Sequence, residues 1–284
     1  MIIVSFISGS GTNYQKIVER DPNHDYIVFT NRPDCGGVDR ARANNHVVIV
    51  LSHLPYLKDA RSKYGAARVP RNCPERVQYE QDLWCLIEEK IGKPPNVICL
   101  AGYDQWLSDW TVDRFYPGIL NIHPGDTTKG YSGLHWIPAA KAILAGDGEL
   151  RSTLFIVDKG EDTGPVLAQS RPLPIVPTLR ALESRGTEGL LAGFGRVVAF
   201  ARRHASTSYD EFERLADAEH MATMRRLCES LQTALKEEGD WEVYPFGVHD
   251  LVGRGRVEVI GRTVYIDGRQ MPEYGYRMDQ EGRA

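Results

Sequence analysis

Short apolar runs alternate with helical patterns over the first two thirds of the chain. The runs are continuous and rich in β-branched side chains, as expected of strands buried on both faces of a parallel sheet. The predicted strands are Ile2–Phe6, Tyr26–Thr30, Val47–Leu51, Asn96–Leu100 and Gly118–Ile122, and the helices between them are Asn13–Glu19, Gly37–Asn44 and Arg76–Ile91. This alternation predicts an α/β fold with an open, doubly wound, mostly parallel sheet, in which ligands bind beyond the carboxyl ends of the strands.

The second half of the chain carries longer helical patterns and ends on two short strands. Ser208 and Glu211 have the spacing of a capping box, and we predict that one helix starts there and carries an apolar stripe. The stripe consists of Phe212, Leu215, Met224, Leu227, Leu231 and Leu235. The remaining predictions are a helix at His135–Ala145, strands at Ser152–Val157 and Pro165–Ser170, a helical stretch from about Thr178, and a β-hairpin of Arg256–Ile260 and Thr263–Ile266. Core packing explains the stripe, and a homodimer face or a cover over a substrate are alternatives.

Composition narrows the class of protein. The 284 residues are 42% apolar and 25% charged, which is typical of a globular chain with a full core. The formal charge of −4 provides no general basic surface for nucleic acid or anionic lipid. The five cysteines include no Cys-x-x-Cys pair, and no apolar run is long enough to span a membrane. We therefore expect a cytoplasmic protein with reduced thiols, no metal, no nucleic-acid partner and no membrane contact.

A glycine-rich turn follows the first predicted strand. In Ser8–Asn13 the glycines let the backbone approach an anion, and the next helix offers free N–H groups at its N-terminus. The turn lacks both the third glycine of a dinucleotide fingerprint and the lysine of a nucleoside-triphosphate loop. It therefore suits a monophosphate, and a plain turn capped by Asn13 is the alternative.

Two further segments carry side chains suited to catalysis. Asn121 and His123 are two apart on a predicted strand and share a face, where an amide and an imidazole can stabilise an oxyanion and move a proton. The acidic loop from Asp158 to Asp162 joins two predicted strands and can present one carboxylate to a ligand. Each segment also has a structural explanation, as a histidine that ends a strand and as a solvated turn.

In combination these residues resemble the folate-dependent formyltransferases. Asn-Ile-His-Pro at Asn121–Pro124, followed by Asp-Thr-Gly-Pro at Asp162–Pro165, resembles the catalytic signature of that family. The turn at residues 7–13, Leu-Ala-Gly-Tyr at 100–103, Gly-Leu-His at 133–135 and Asp-Gly-Arg-Gln-Met-Pro at 267–272 match the members that formylate glycinamide ribonucleotide in purine biosynthesis. The resemblance implies a catalytic domain over residues 1–200, a helical insertion over 201–245 and a C-terminal β-hairpin over 246–284.

The resemblance also implies roles for the matched residues. Asn121 and His123 would hold the oxygen of the tetrahedral intermediate, while Asp162 would keep His123 charged and help to move a proton through a water. The implied binding residues fall into two groups. The phosphorylated amine would contact Gly11, Thr12, Asn13, Arg76 and Glu188, and the co-substrate 10-formyltetrahydrofolate would contact Gln105, Trp106, Leu107, Val157, Asp158 and Glu161.

Two departures from the family pattern leave the acceptor open. The segment Gly125–Ser132 differs in character and is longer than its counterpart, and Phe155 stands where the family has a second active-site histidine. Formyl transfer to another amine, such as an amino sugar or a specialised metabolite, is one alternative. Sugar formyltransferases would not need the phosphate turn in this form. A binding module without turnover is another, although binding alone needs no Asn121, His123 and Asp162.

Overall fold

The structure is a computed structural model that describes residues 1–65 and 68–280. Within these residues the strands are β1 (Ile2–Ile7), β2 (Asp25–Thr30), β3 (Val47–Val50), β4 (Val97–Leu100), β5 (Ile119–His123), β6 (Glu149–Leu150), β7 (Thr153–Ile156), β8 (Val166–Gln169), β9 (Leu173–Pro174), β10 (Val257–Ile260), β11 (Thr263–Ile266), β12 (Arg269–Gln270) and β13 (Tyr276–Arg277).

The α-helices alternate with the strands in the first half of the chain and follow one another in the second. They are α1 (Thr12–Arg20), α2 (Gly36–Ala43), α3 (Leu54–Leu57), α4 (Ala60–Tyr64), α5 (Pro74–Ile91), α6 (Asp109–Phe115), α7 (Ile137–Leu144), α8 (Ile175–Ser184), α9 (Leu190–Arg203), α10 (Tyr209–Leu215), α11 (Ala218–Leu235) and α12 (Trp241–Phe246). π-Helical turns at Lys236–Asp240 and Gly247–Val252 flank α12. No helix in the described part of the chain is long and apolar enough to cross a membrane.

The main sheet has the strand order β13-β8-β7-β5-β4-β1-β2-β3. The neighbouring pairs β5–β4, β4–β1, β1–β2 and β2–β3 are all parallel, and so is the pair β8–β13. All six residues of β1 are buried, as expected of a strand covered by helices on both faces. The predicted open, mostly parallel sheet is therefore confirmed.

The chain forms two compact units, each with its own core. The first unit comprises residues 1–122, 155–165 and 244–270, and the second comprises 123–154, 166–243 and the chain from 271. In the first unit, Phe6 and Phe29 pack with Trp84, Leu83 and other apolar residues of α5. The second unit has a core of apolar residues from α7 to α11. The domain boundaries expected from the sequence follow a different division and stay a prediction.

The structure corrects the helix expected after Ser208. Ser208 caps α10 by accepting a hydrogen bond from the Glu211 N–H at 3.3 Å, as the capping box predicts, but α10 ends at Leu215. A second helix, α11, begins after Asp217, whose side chain accepts from the His220 N–H at 2.9 Å. A second N-cap therefore divides the predicted single helix, because Asp217 offers the backbone an alternative partner.

The predicted C-terminal hairpin forms and carries one additional strand. β10 and β11 are antiparallel, with Ile260 opposite Thr263, and the short strand β12 pairs with β11. Gly261 lies in the connecting turn with φ of 62°, a conformation that glycine adopts without strain.

Candidate active site

Three strand ends of the first unit come together at one edge of the sheet. Phe6 of β1 is in register with Leu100 of β4, and Leu100 is in register with Asn121 of β5. Because these strands are parallel, the segments that follow them lie at the same edge. The Ser8 N–H donates to the Gly102 carbonyl at 3.0 Å, which joins the glycine-rich turn to the segment after β4. The structure thus brings together three of the segments that the sequence marks as candidates.

The glycine-rich turn is built for close approach of two backbone segments. Gly11 has φ of 69° and occupies the N-cap position of α1, where no side chain caps the helix. A Cβ atom at Gly11 would lie 2.5 Å from the Cα atom of Gly37, so only glycine fits. The alternative in which Asn13 caps the helix is therefore not the arrangement found.

Asn13 is a buried amide in the first turn of α1. Its side chain is 8% exposed, and Oδ1 has no hydrogen-bond partner among residues 1–65 and 68–280. Buried polar atoms are almost always paired, so an orphaned one indicates a place for a ligand or a water. The amide could equally present Nδ2 after a flip, since oxygen and nitrogen are assigned from their surroundings.

The cation that contacts the turn is Arg40, which the sequence analysis missed. Its Nε donates to the Ser10 carbonyl at 2.9 Å. The predicted cation, Arg76, is instead 3% exposed and donates to the Trp106 carbonyl at 2.8 Å. A role for Arg76 in phosphate binding stays a prediction. The sequence places Arg40 on the helix after the second strand, but its neighbouring residues do not distinguish it from Arg42 on the same helix.

An acidic group also lies beside the turn. One oxygen of Asp104 accepts from Ser8 Oγ at 3.0 Å and from Asn31 Nδ2 at 2.9 Å, and the carboxylate pairs with Arg32. Burial acts to raise the pKa of Asp104, but hydrogen bonds from Asn31, Gln105 and Ser8, with the charge of Arg32, lower it below its usual value. Asp104 is therefore ionised at neutral pH, and Arg32 compensates its charge. Neither residue was a candidate from the sequence.

Asn121 and His123 lie near the end of β5, as predicted. Asn121 Oδ1 accepts from the Ile122 N–H at 2.9 Å, so the Nδ2 amino group is the end that can donate to a ligand. In the second unit, His123 is 4% exposed, and its Nε2 lies 2.7 Å from the Tyr131 carbonyl oxygen. A carbonyl only accepts, so Nε2 carries hydrogen and the ring orientation is fixed by the backbone.

The segment Gly125–Ser132 holds His123 through its own network within the second unit. Asp126 caps a 3₁₀ turn at Thr127–Lys129 and accepts from Gln169 Nε2 at 2.7 Å. The Tyr131 hydroxyl donates to Asp147 at 2.8 Å. The part of the chain that departs from the family pattern therefore supplies the carbonyl that orients His123.

Hydrogen bonds and an ion pair within the first unit hold the loop that carries Asp162. The Asp158 carboxylate accepts from the Gly160 N–H and the Thr163 hydroxyl, each at 2.9 Å, and pairs with Arg262 of the β10–β11 turn. Burial acts to raise the pKa of Asp158, but these hydrogen bonds, with Arg262 first among them, lower it. Asp162 has φ of 52° and is partly buried. Its pairing with His123 stays a prediction.

Arg71 joins the same loop to the residues expected to bind folate. Its guanidinium donates to the Leu107 carbonyl at 2.7 Å, to the Asp158 carbonyl at 2.9 Å and to the Lys159 carbonyl. A Cβ atom at Gly164 would overlap the Ile156 carbonyl oxygen at 1.7 Å, so the loop also requires glycine where it closes.

The other predicted binding residues occupy varied environments. Trp106 is 39% exposed, and the Arg68 guanidinium lies over its ring at 5.4 Å while pairing with Glu161 at 3.5 Å. Gln105 donates to Asp104, and Leu107 and Val157 are buried. In the second unit, Glu188 is exposed just before α9, and its carbonyl accepts from Arg226 at 2.8 Å. Phe155, at the position of the family's second histidine, is part of the first unit's core.

The structure defines an α/β protein in which a mostly parallel sheet brings a glycine-rich turn and a strand-end amide to one edge. The chain belongs to the formyl transferase family, whose sequence profile matches residues 1–188. It is 30% identical to the phosphoribosylglycinamide formyltransferase of Escherichia coli (strain K12), over 99% of this chain and 100% of that protein. It is also 30% identical to the trifunctional purine biosynthetic protein adenosine-3 of Drosophila melanogaster, over 62% of this chain, and the match spans 12% of that longer protein.

Solved structures confirm the fold. The phosphoribosylglycinamide formyltransferase of Coxiella burnetii superposes with a TM-score of 0.66 over 98% of both chains, at 22% identity. Glycinamide ribonucleotide transformylase 1 of Symbiobacterium toebii has a TM-score of 0.59 over 94% of this chain and 93% of that one, at 21% identity. The family resemblance predicted from the sequence is confirmed by the profile match over residues 1–188 and by the full-length relative of Escherichia coli.

Proposed function

We propose that this chain transfers the formyl group of 10-formyltetrahydrofolate to the primary amine of glycinamide ribonucleotide, a step of purine biosynthesis. The observation that supports the proposal is the register of Phe6, Leu100 and Asn121, which brings the glycine-rich turn and the Asn121 amide to one edge of the sheet. The full-length similarity to a relative named for this acceptor supports the choice of substrate.

The acceptor phosphate binds at the N-terminus of α1. Gly11 and Thr12 lie at the N-terminus of α1, where backbone N–H groups without a partner in the helix favour an anion, and the Asn13 amide adds a buried polar group. The Arg40 guanidinium, anchored on the Ser10 carbonyl, adds positive charge. We assign Glu188 to recognition of the amine end and keep Arg76 as a further cation from the family pattern.

Formyl transfer proceeds by addition and elimination. The amine nitrogen attacks the formyl carbon, the carbon–oxygen double bond becomes an oxyanion, and the bond from carbon to the folate nitrogen then breaks. Nδ2 of Asn121 and the His123 imidazole stabilise the oxyanion. Asp162 supports the charge on His123 and, through a water, helps to move the proton of the attacking amine to the departing folate nitrogen. Folate lies against Gln105, Trp106 and Leu107 and beneath Val157, Asp158 and Glu161.

The decisive experiment compares two aspartates in the same backbone conformation. Asp162 and Asp267 both have φ of 52° and both belong to the first unit, but Asp267 pairs with Arg256 on the C-terminal sheet. With 10-formyltetrahydrofolate and glycinamide ribonucleotide, release of tetrahydrofolate should fall by about 10²–10⁴-fold in Asp162→Asn. Folate affinity should stay within a few-fold, and Asp267→Asn should retain turnover. Retained turnover in Asp162→Asn would refute its assigned role.

The same assay separates the proposed acceptor from the alternatives. His123→Ala should abolish turnover, since it removes the imidazole that stabilises the oxyanion. Folate binding without turnover of glycinamide ribonucleotide would favour another amine as the acceptor. The observation that favours this second candidate function is the segment Gly125–Ser132, which departs from the family pattern and orients His123. No folate binding would refute the proposal as a whole.

A further inference from the structure

Two histidines and an aspartate cluster in the first unit, on segments that the formyl-transfer site does not use. Asp21 follows α1, His24 precedes β2, and His249 lies in the π-helical turn Gly247–Val252. One ligand atom from each residue lies within 4.8 Å of the other two. The His24 Nε2 atom is 3.4 Å from Asp21 Oδ2. The His24 and His249 rings have centroids 5.2 Å apart and planes within 18° of each other.

His249 supplies an independent indication of a ligand. It is 7% exposed, and its Nε2 lies 2.8 Å from the Ile17 carbonyl oxygen, so Nε2 carries the hydrogen. Its Nδ1 atom is buried and has no hydrogen-bond partner in the described part of the chain. A neutral imidazole with one N–H engaged leaves an unshared electron pair on the buried Nδ1.

The arrangement has the features of a zinc-type site. Two imidazoles and one carboxylate are a common donor set for zinc, and ligand atoms about 2.0–2.1 Å from a tetrahedral ion lie about 3.4 Å apart. The His24–Asp21 distance matches that value. Metal-bound imidazoles usually donate their other N–H to a carbonyl or carboxylate, as His249 does to Ile17. The second oxygen of Asp21 accepts from the Asn23 N–H at 3.0 Å, which orients the carboxylate.

We propose that Asp21 Oδ2, His24 Nε2 and His249 Nδ1 bind one divalent transition-metal ion, with zinc as the best-suited ion. The bound ion links the α1–β2 connection to the C-terminal part of the first unit and takes no part in formyl transfer. The expectation of no metal rested on cysteine spacing, and this cluster contains no cysteine.

The test measures binding of Zn²⁺ alone to tag-free, chelator-treated protein in the presence of a non-metal-binding reductant. Isothermal titration should give one Zn²⁺ per chain, and Co²⁺ should produce the visible absorption bands of a tetrahedral site. His24→Ala and Asp21→Asn change partly exposed residues and should each weaken Zn²⁺ binding by at least about tenfold. Zn²⁺ should raise the melting temperature of the wild type and not that of these variants.

His46→Ala is the matched control. The His46 ring packs on Tyr26 with centroids 5.0 Å apart, beside the cluster but outside it. This variant should bind Zn²⁺ like the wild type, and His249→Ala should lose binding where it folds. Absence of Zn²⁺ binding at millimolar concentration would overturn the proposal. Equal binding by His24→Ala, Asp21→Asn and the wild type would do the same, because the ion would then occupy other ligands.

Discussion

Asn13 shows how one side chain connects the fold to the acceptor. An unpaired buried polar atom destabilises the folded protein by about 1–3 kcal/mol. A bound ligand that forms a hydrogen bond with the side chain removes this penalty. Asn13 Oδ1 is unpaired among the described residues, and the backbone around it is held by the close contact of Gly11 with Gly37. With the amide turned over, Nδ2 would occupy this position and could donate to a phosphate oxygen, which Oδ1 cannot do.

Replacing Asn13 by Ala should mainly weaken binding of the phosphorylated acceptor. We expect kcat/KM for glycinamide ribonucleotide to fall about 10- to 150-fold, through KM rather than kcat, because one hydrogen bond to a charged group contributes about 1.5–3 kcal/mol. Steady-state kinetics at varied acceptor concentration measure this split. Asn44→Ala is the control, since Asn44 ends α2 and donates to Gln15 at 2.9 Å. An unchanged KM in Asn13→Ala would show that the turn is only structural.

At the scale of elements, the Asp162 loop depends on two arginines from elsewhere in the first unit. Arg71 precedes α5 and bonds the loop's backbone, while Arg262 lies between β10 and β11 and binds Asp158 and the Thr163 carbonyl. The C-terminal antiparallel sheet thus takes part in positioning a loop that carries a proposed catalytic residue. Arg262 is a positioning residue in this scheme, since it acts through the loop.

Replacing Arg262 by Ala should therefore lower kcat more than it raises KM for folate. A displacement of reacting groups by about 1 Å lowers the rate of the chemical step by up to about 10²-fold. We therefore expect kcat to fall by about 10- to 100-fold. Arg262→Lys should restore part of the activity, because it keeps the charge opposite Asp158. Arg256→Ala, which breaks the pair with Asp267 on the same sheet, is the control and should leave kcat nearly unchanged. Equal losses in both variants would indicate general destabilisation of the sheet.

At the scale of the whole molecule, stability is distributed over two cores. The apolar stripe predicted after Ser208 belongs largely to the core of the second unit, and Phe212, Met224, Leu227, Leu231 and Leu235 are all buried there. Leu215, the last residue of α10, is the exception at 44% exposed. The burial supports core packing of the stripe, and the homodimer stays a prediction.

Two leucines of this stripe provide a matched test of stability. Leu231 is fully buried, so Leu231→Ala should lower the free energy of unfolding by about 2–5 kcal/mol. Leu215→Ala should change it by less than about 0.5 kcal/mol, as expected of an exposed site. Urea unfolding followed by circular dichroism measures both. A large loss for Leu215→Ala would mean that this residue is covered in solution, as in a dimer.

The sequence by itself determined the parallel strands, the glycine-rich turn, the placement of Asn121 and His123 on one strand, and the family. These features rest on local chemistry: strand periodicity, the backbone freedom of glycine, and the order of short motifs along the chain. The division of the predicted helix at Asp217 was also local, but Asp is compatible with both a helix and a cap, so composition alone did not decide it.

Only the tertiary structure decided which charged and polar side chains meet. Arg40 contacts the turn while Arg76 is buried, Arg262 reaches Asp158 across 104 positions of sequence, and Asp21, His24 and His249 converge. An arginine or histidine carries no local signal of its distant partner. Such partners are fixed by how the strands and helices pack, and packing depends on the whole chain at once.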